Sequence, residues 1–119
     1  MSKYADVYLL PILEKNVAAY KKIANSAGKV FVKHGALKYR EYVASDMDAQ
    51  GVMPFTKILK LKPGETIIYA AVEFSSESHR KKVMKKVFED PAMQPPSGMK
   101  MPFDYKRMVY GGFKILVDL

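Results

Sequence analysis

Tyr4, Asp6, Tyr8 and Leu10 fall on one side of an extended chain, and Ala5, Val7 and Leu9 on the other. That two-residue period predicts a strand over 4–10, which Pro11, with no backbone N–H to give, is expected to end. Asn16 stands where a side chain can cap a helix. From Val17 to His34 apolar residues recur three and four apart, at Tyr20, Ile23, Ala24, Ala27, Val30 and Phe31. This predicts a helix with one buried stripe, stopped by Gly35. Residues 37–45 read as a second strand, 46–54 as a polar loop, and 58–61 is ambiguous between types. A Lys-Pro-Gly-Glu turn at 62–65 leads into a buried strand over Thr66–Phe74. Ser75 or Ser76 caps a second helix reaching Glu89, with Val83, Met84, Val87 and Phe88 as its apolar face. Pro91 stops it, 91–102 is a proline-rich loop, and 107–117 forms the last strand.

The order strand, helix, strand, strand, helix, strand predicts an α+β fold. It is a ferredoxin-like βαββαβ sandwich, an antiparallel four-stranded sheet with two helices on one face, in a single domain spanning 1–119. The helix-covered face is expected to carry Ala5/Val7/Leu9, Ile68/Ala70/Val72/Phe74 and Val109/Gly111/Phe113/Ile115/Val117. The other face then holds Tyr4, Asp6, Tyr8, Tyr39, Glu41, Tyr69, Glu73, Tyr110 and Lys114. So many tyrosines are costly to leave wet, and a second copy of the chain is the simplest cover. A homodimer with sheets face to face is the expectation.

Composition changes this picture in two ways. No cysteine is present, which excludes disulfides, thiolate nucleophiles and Cys-ligated metals. The formal net charge of +8 attracts acidic partners. No stretch nears the ~18 apolar residues of a membrane span, and 1–16 lacks the layout of a signal peptide. A cytoplasmic protein without a membrane partner is expected.

The stretch Met101-Pro-Phe-Asp-Tyr-Lys-Arg-Met-Val-Tyr-Gly-Gly-Phe113 carries a resemblance that Gly35-Ala36-Leu37, Ala44-Ser45-Asp46, Glu73 and Asp90-Pro91 extend along the chain. It resembles the YbaA-like family of small bacterial proteins, a domain of unknown function in the dimeric α+β barrel superfamily. The resemblance implies this fold, paired as a dimeric α+β barrel, and leaves activity open. Tyr105 stands where relatives have glycine, and Val43 and Ala71 where tryptophan is expected.

Within that stretch, Gly111-Gly112 signals a bulge or a close approach by a large side chain. Asp104 can cap a turn. Arg107 has two readings: an anion clamp, or a salt-bridged entry to the last strand. Asp6, Glu41 and Glu73 are placed near one another on the polar face, where clustered carboxylates shift one another's pKa and serve acid–base chemistry; the plainer reading pairs them with Arg40, Lys114 or a partner-chain cation. His34, on the apolar side of the first helix, reads as a base at a cavity mouth or as a helix-end residue. His79 reads as surface. Asp6, Tyr8, His34, Glu41, Tyr69, Glu73, Asp104, Arg107 and Tyr110 are the ligand-binding candidates. The second helix carries Arg80, Lys81, Lys82, Lys85 and Lys86, a basic stripe that can track phosphates but lacks aromatics for base stacking. No metal-ligand spacing and no phosphate-binding glycine loop occurs, so no cofactor is expected.

The leading expectation is a homodimer enclosing a polar–aromatic cavity between sheet faces. That cavity binds a small ligand, anions included, with cofactor-independent catalysis as an extension. The alternative is a basic module that binds RNA or other polyanions through the second helix.

Overall fold

In the computed structural model, which describes residues 2–94 and 100–119, the chain forms β1 (Tyr4–Leu13), α1 (Val17–Lys33) and β2 (Lys38–Val43). A one-turn α2 (Phe55–Ile58), β3 (Glu65–Phe74), α3 (Glu77–Glu89) and β4 (Val109–Lys114) follow. The strands form one sheet in the order β2-β3-β1-β4, with every neighbouring pair antiparallel. Residues 95–99 of the expected proline-rich loop lie outside the described residues, and Pro91–Met93 form a 3-10 turn.

Both helices pack on one face of the sheet. Val30 and Phe31 of α1 meet Val72 and Phe74 of β3 and Val83 and Val87 of α3. A second cluster joins Leu10 and Ile12 of β1, Tyr20 and Ala24 of α1, and Ile68 of β3, with Phe103 and Met108 packed against it. The sequence stretch 101–113 therefore closes this end of the core.

Local chemistry sets the helix ends. Gly35, at φ 109°, lets its own N–H reach the Val32 carbonyl and the Ala36 N–H reach that of Phe31, at 3.1 and 3.0 Å. This pair of bonds satisfies two orphan carbonyls of α1. At α3, Ser76 Oγ accepts from His79 N at 3.1 Å and His79 Nδ1 accepts from Ser75 N at 3.0 Å. His79 thus reaches back to the N–H of Ser75, one residue before the N-cap, where the glutamate of a capping box would take that of the N-cap itself. Asn16 does not cap α1; its Nδ2 donates to the Pro102 carbonyl at 3.2 Å.

Pro11 does not end β1, which runs on to Leu13. Ile115 N donates to the Lys3 carbonyl, so the odd-numbered residues of β1 aim their backbone groups toward β4. β4 pairs with β1 only over Tyr4–Leu9. Continuing that register sets Pro11 opposite Arg107, where no N–H is offered. There the chain leaves the sheet: Tyr105–Arg107 is a 3-10 turn, and β4 starts at Val109, not at 107. The strand also stops at Lys114, short of the expected 117.

The face assignment requires correction. Tyr4, Asp6 and Tyr8 pair with Phe74, Val72 and Ala70 of β3 and with Lys114, Gly112 and Tyr110 of β4. Tyr39 and Glu41 pair with Val72 and Ala70. Directly paired residues share a face, so these polar side chains lie under the helices beside the apolar β3 set. Ala5, Val7, Leu9, Val109, Gly111 and Phe113 form the open face with Tyr69 and Glu73. Alternation divides a strand into two sides; it does not say which side meets the helices.

The glycine pair sits in an unbroken register, so there is no bulge. A Cβ on Gly112 would fall 1.8 Å from the Tyr4 hydroxyl. The bare backbone admits that tyrosine.

Candidate functional site

The helix side of the sheet gathers two polar–aromatic groups. In the first, Asp6 at the middle of β1 is completely buried. Arg80 Nε donates to its Oδ2 and the Tyr110 hydroxyl to its Oδ1, each at 2.9 Å; Arg80 Nη2 also donates to the Tyr110 hydroxyl at 3.0 Å. The Tyr8 ring lies 5.0 Å from that of Tyr110. Burial, and then the Asp6 charge, push the Tyr8 phenol up to about 12. Asp6, Tyr8 and Tyr110 do come together, but around Arg80, which was expected on the solvated stripe. The guanidinium is spent on the sheet, so this group braces α3 to β1 and β4.

The second group lines an open groove of about 1260 Å³ between α1 and β2. The Tyr20 hydroxyl donates to one oxygen of Glu41 and the Tyr39 hydroxyl to the other. Burial, followed by the bond to Glu41, raises both phenols far above their ordinary value. The Tyr39 ring packs 5.5 Å from Phe31 and crosses α1 at Gly28, where a Cβ would lie 2.6 Å from the ring. Val43, at one of the positions expected to hold tryptophan, lines the groove, and Lys21, Lys22, Lys29 and Lys33 stand along its rim. Among the described residues no cation lies within ion-pair distance of Glu41.

The remaining candidates lie elsewhere. Glu73 is on the open face, opposite Ala5 and Lys38, and so is separated by the sheet from Asp6 and Glu41. Tyr69 shares that open face, its ring 5.4 Å from Tyr42. Asp104 accepts from the Lys106 N–H at 3.0 Å. Arg107 pairs with Glu65 and donates to the Lys60 carbonyl at 3.1 Å, which favours the strand-entry reading over the clamp. Lys81, Lys82, Lys85 and Lys86 are exposed on α3. The described residues hold no group of three His, Asp or Glu side chains placed to bind a metal ion.

His34 closes no cavity. Its Nε2 meets Asp90 Oδ2 at 2.8 Å, and Lys33 Nζ reaches the same oxygen at 3.2 Å. The Ala92 N–H, then His34 and Lys33, hold the Asp90 carboxyl down at about 2 from its ordinary 3.8. A depressed folded-state pKa stabilises above the unfolded value, and that contribution is lost as pH falls through the folded one. Asp90→Asn is therefore expected to lower Tm at neutral pH. The deficit against the parent should shrink between about pH 4 and pH 2, a window that melts in a pH series resolve; a deficit unchanged at pH 2 would assign it to packing.

Tyr20 and the α1 lysines were absent from the candidates read from sequence. Gly28, isolated inside a helical pattern, was the available signal, since such a glycine often marks a close approach.

Four antiparallel strands in this order under two helices define a ferredoxin-like α+β domain. The chain belongs to the family described as protein of unknown function (DUF1428), whose sequence model matches residues 3–105. It is 34% identical over 116 residues to the uncharacterized protein YbaA of Escherichia coli K12, covering 98% of each chain. Its identity to YbaA of Shigella flexneri is the same over the same extent. A dimeric ferredoxin-like protein from an uncultured marine organism superposes with a TM-score of 0.57 over 100% of both chains, at 9% identity, a likeness of fold. The resemblance read from residues 101–113 and its companions is borne out. Among the described residues no helix is long and apolar enough to cross a membrane.

Proposed function

We propose that the protein is a homodimer that binds a small ligand in the groove between α1 and β2, within each protomer and not between the sheets. The half-buried Glu41 carboxylate, held by two phenols and, among the described residues, by no cation, carries this reading. Each of its oxygens keeps a lone pair for a donor, and a half-buried charge without a counter-ion is costly unless something supplies one. A ligand with a hydrogen-bond donor for Glu41, an apolar body, and an acidic group for the rim lysines matches the lining.

The dimer is supported by the open face. Tyr42, Tyr69, Val109 and Phe113 are between 37% and 57% exposed there, and Val7 and Leu9 lie beside them. A contiguous apolar sheet face favours a self-complementary partner. Native mass spectrometry of freshly purified protein is expected to give a dimer carrying a low-mass adduct that Glu41→Gln depletes. An empty dimer that no small anion or amine stabilises against heat would remove the ligand. A monomer at micromolar concentration would remove the interface.

A further inference from the structure

Most of the formal charge excess lies on the two helices. Lys21, Lys22, Lys29 and Lys33 of α1 and Lys81, Lys82, Lys85 and Lys86 of α3 are all exposed. Counted with Arg80, Glu77 and Glu89, α1 carries a net +4 and α3 a net +3, so the two helices hold +7 of the chain's formal +8. α1 contains no acidic residue, and α3 has acids only at its ends, Glu77 and Glu89. Among the described residues only Lys33 of the eight lies within ion-pair distance of a carboxylate, Asp90. Both helices pack on the same sheet face, so their outward sides form one cationic layer.

We infer that this helical layer is a docking surface for the phosphate backbone of double-stranded nucleic acid, contacted without base readout. The molecule is a slab of 41 × 38 × 21 Å, and its broad side matches about one turn of duplex, roughly 34–36 Å. Lysine is a flexible point charge suited to phosphate, while Arg80, the one arginine of the two helices and the residue best suited to read base edges, is occupied by Asp6. A lipid surface fits less well. The apolar stripes of both helices are consumed by the core, leaving Val32 and Phe88, one near the end of each helix, as their exposed large apolar side chains. Interfacial binding depends on an apolar face free to enter the headgroup region.

The test is anisotropy of a labelled duplex of about two turns at several salt concentrations, using the full chain. With about four phosphates neutralised, affinity should fall roughly 100-fold between about 50 and 200 mM salt. Replacing Lys21, Lys22 and Lys29 with Gln, or Lys81, Lys82 and Lys85, should each weaken binding at least about tenfold and flatten the salt slope. The same change at Lys15, Lys57 and Lys114, exposed positions off these helices, should do neither. Equal loss from that control set would reduce the effect to net charge and overturn the surface. So would binding to phosphatidylserine vesicles with none to duplex at about 50 mM salt, which would give the layer to lipid. The α3 variant leaves the groove untouched, so this result stands or falls apart from the ligand reading.

Discussion

Arg80→Met is expected to cost the fold about 3 kcal/mol, the lower end for breaking a buried pair. Asp6 is completely buried and would keep only the Tyr110 hydroxyl as a partner. A carboxylate stranded in that way either retains its charge at high cost or binds a proton on folding. The lower end applies because the Arg80 side chain is 25% exposed, so water can partly replace it. A loss of that size in a domain of this length corresponds to roughly 12 °C in Tm. Urea denaturation would show a lower midpoint at unchanged slope. The double change Asp6→Leu with Arg80→Met should recover more than half of the loss, because no charge is then left unpaired. A single-variant loss below about 1 kcal/mol would mean that the brace is dispensable.

Gly28→Ala sets two effects of known size against each other. Alanine favours the helix by about 1 kcal/mol over glycine. Its methyl group, however, would sit 2.6 and 2.8 Å from two ring carbons of Tyr39. That ring is held at its hydroxyl by Glu41 and on its face by Phe31, so it cannot swing aside without breaking one contact. Overpacking of this kind costs about 1–3 kcal/mol, and the clash is near the upper end because atoms of the ring itself are struck. The net expectation is a loss of about 1–2 kcal/mol. In the background of Tyr39→Ala the same substitution should stabilise, a change of sign that a double-mutant cycle reads directly. Stabilisation in both backgrounds would show that the ring moves freely.

The elements were legible where a single local rule acts. The period of α1 and the Gly35 stop are found where the pattern set them, and of the two serines offered as the α3 cap Ser76 takes the role; each depends on residues within one turn. Pro11 shows the limit. A proline breaks a strand only if its missing N–H is needed, and whether it is needed depends on where β4, about a hundred residues later, begins. The face assignment failed for the same kind of reason: β1 is apolar on one side and aromatic on the other, and long-range pairing chose between them. The site was only partly legible. Asp6 with Tyr110 and Tyr39 with Glu41 were assigned to one face and do share it, whereas the pairing of Arg80 with Asp6 joins residues 74 positions apart. Arg107 was correctly read as a carboxylate's partner in the plainer of its two readings, but Glu65 was not nameable from spacing.

The strand order β2-β3-β1-β4 has a consequence for how the protein is made. β1 is synthesised first, yet its two neighbours in the sheet are the third and the last strands to leave the ribosome. At about 5–20 residues per second, this largely apolar segment waits several seconds with neither edge paired. Local structure such as α1 can form in microseconds during that interval, but the sheet cannot close until β4 arrives. A nascent chain stalled before residue 109 would present β1 to any unpaired strand nearby, and is the stage at which a chaperone has most to protect.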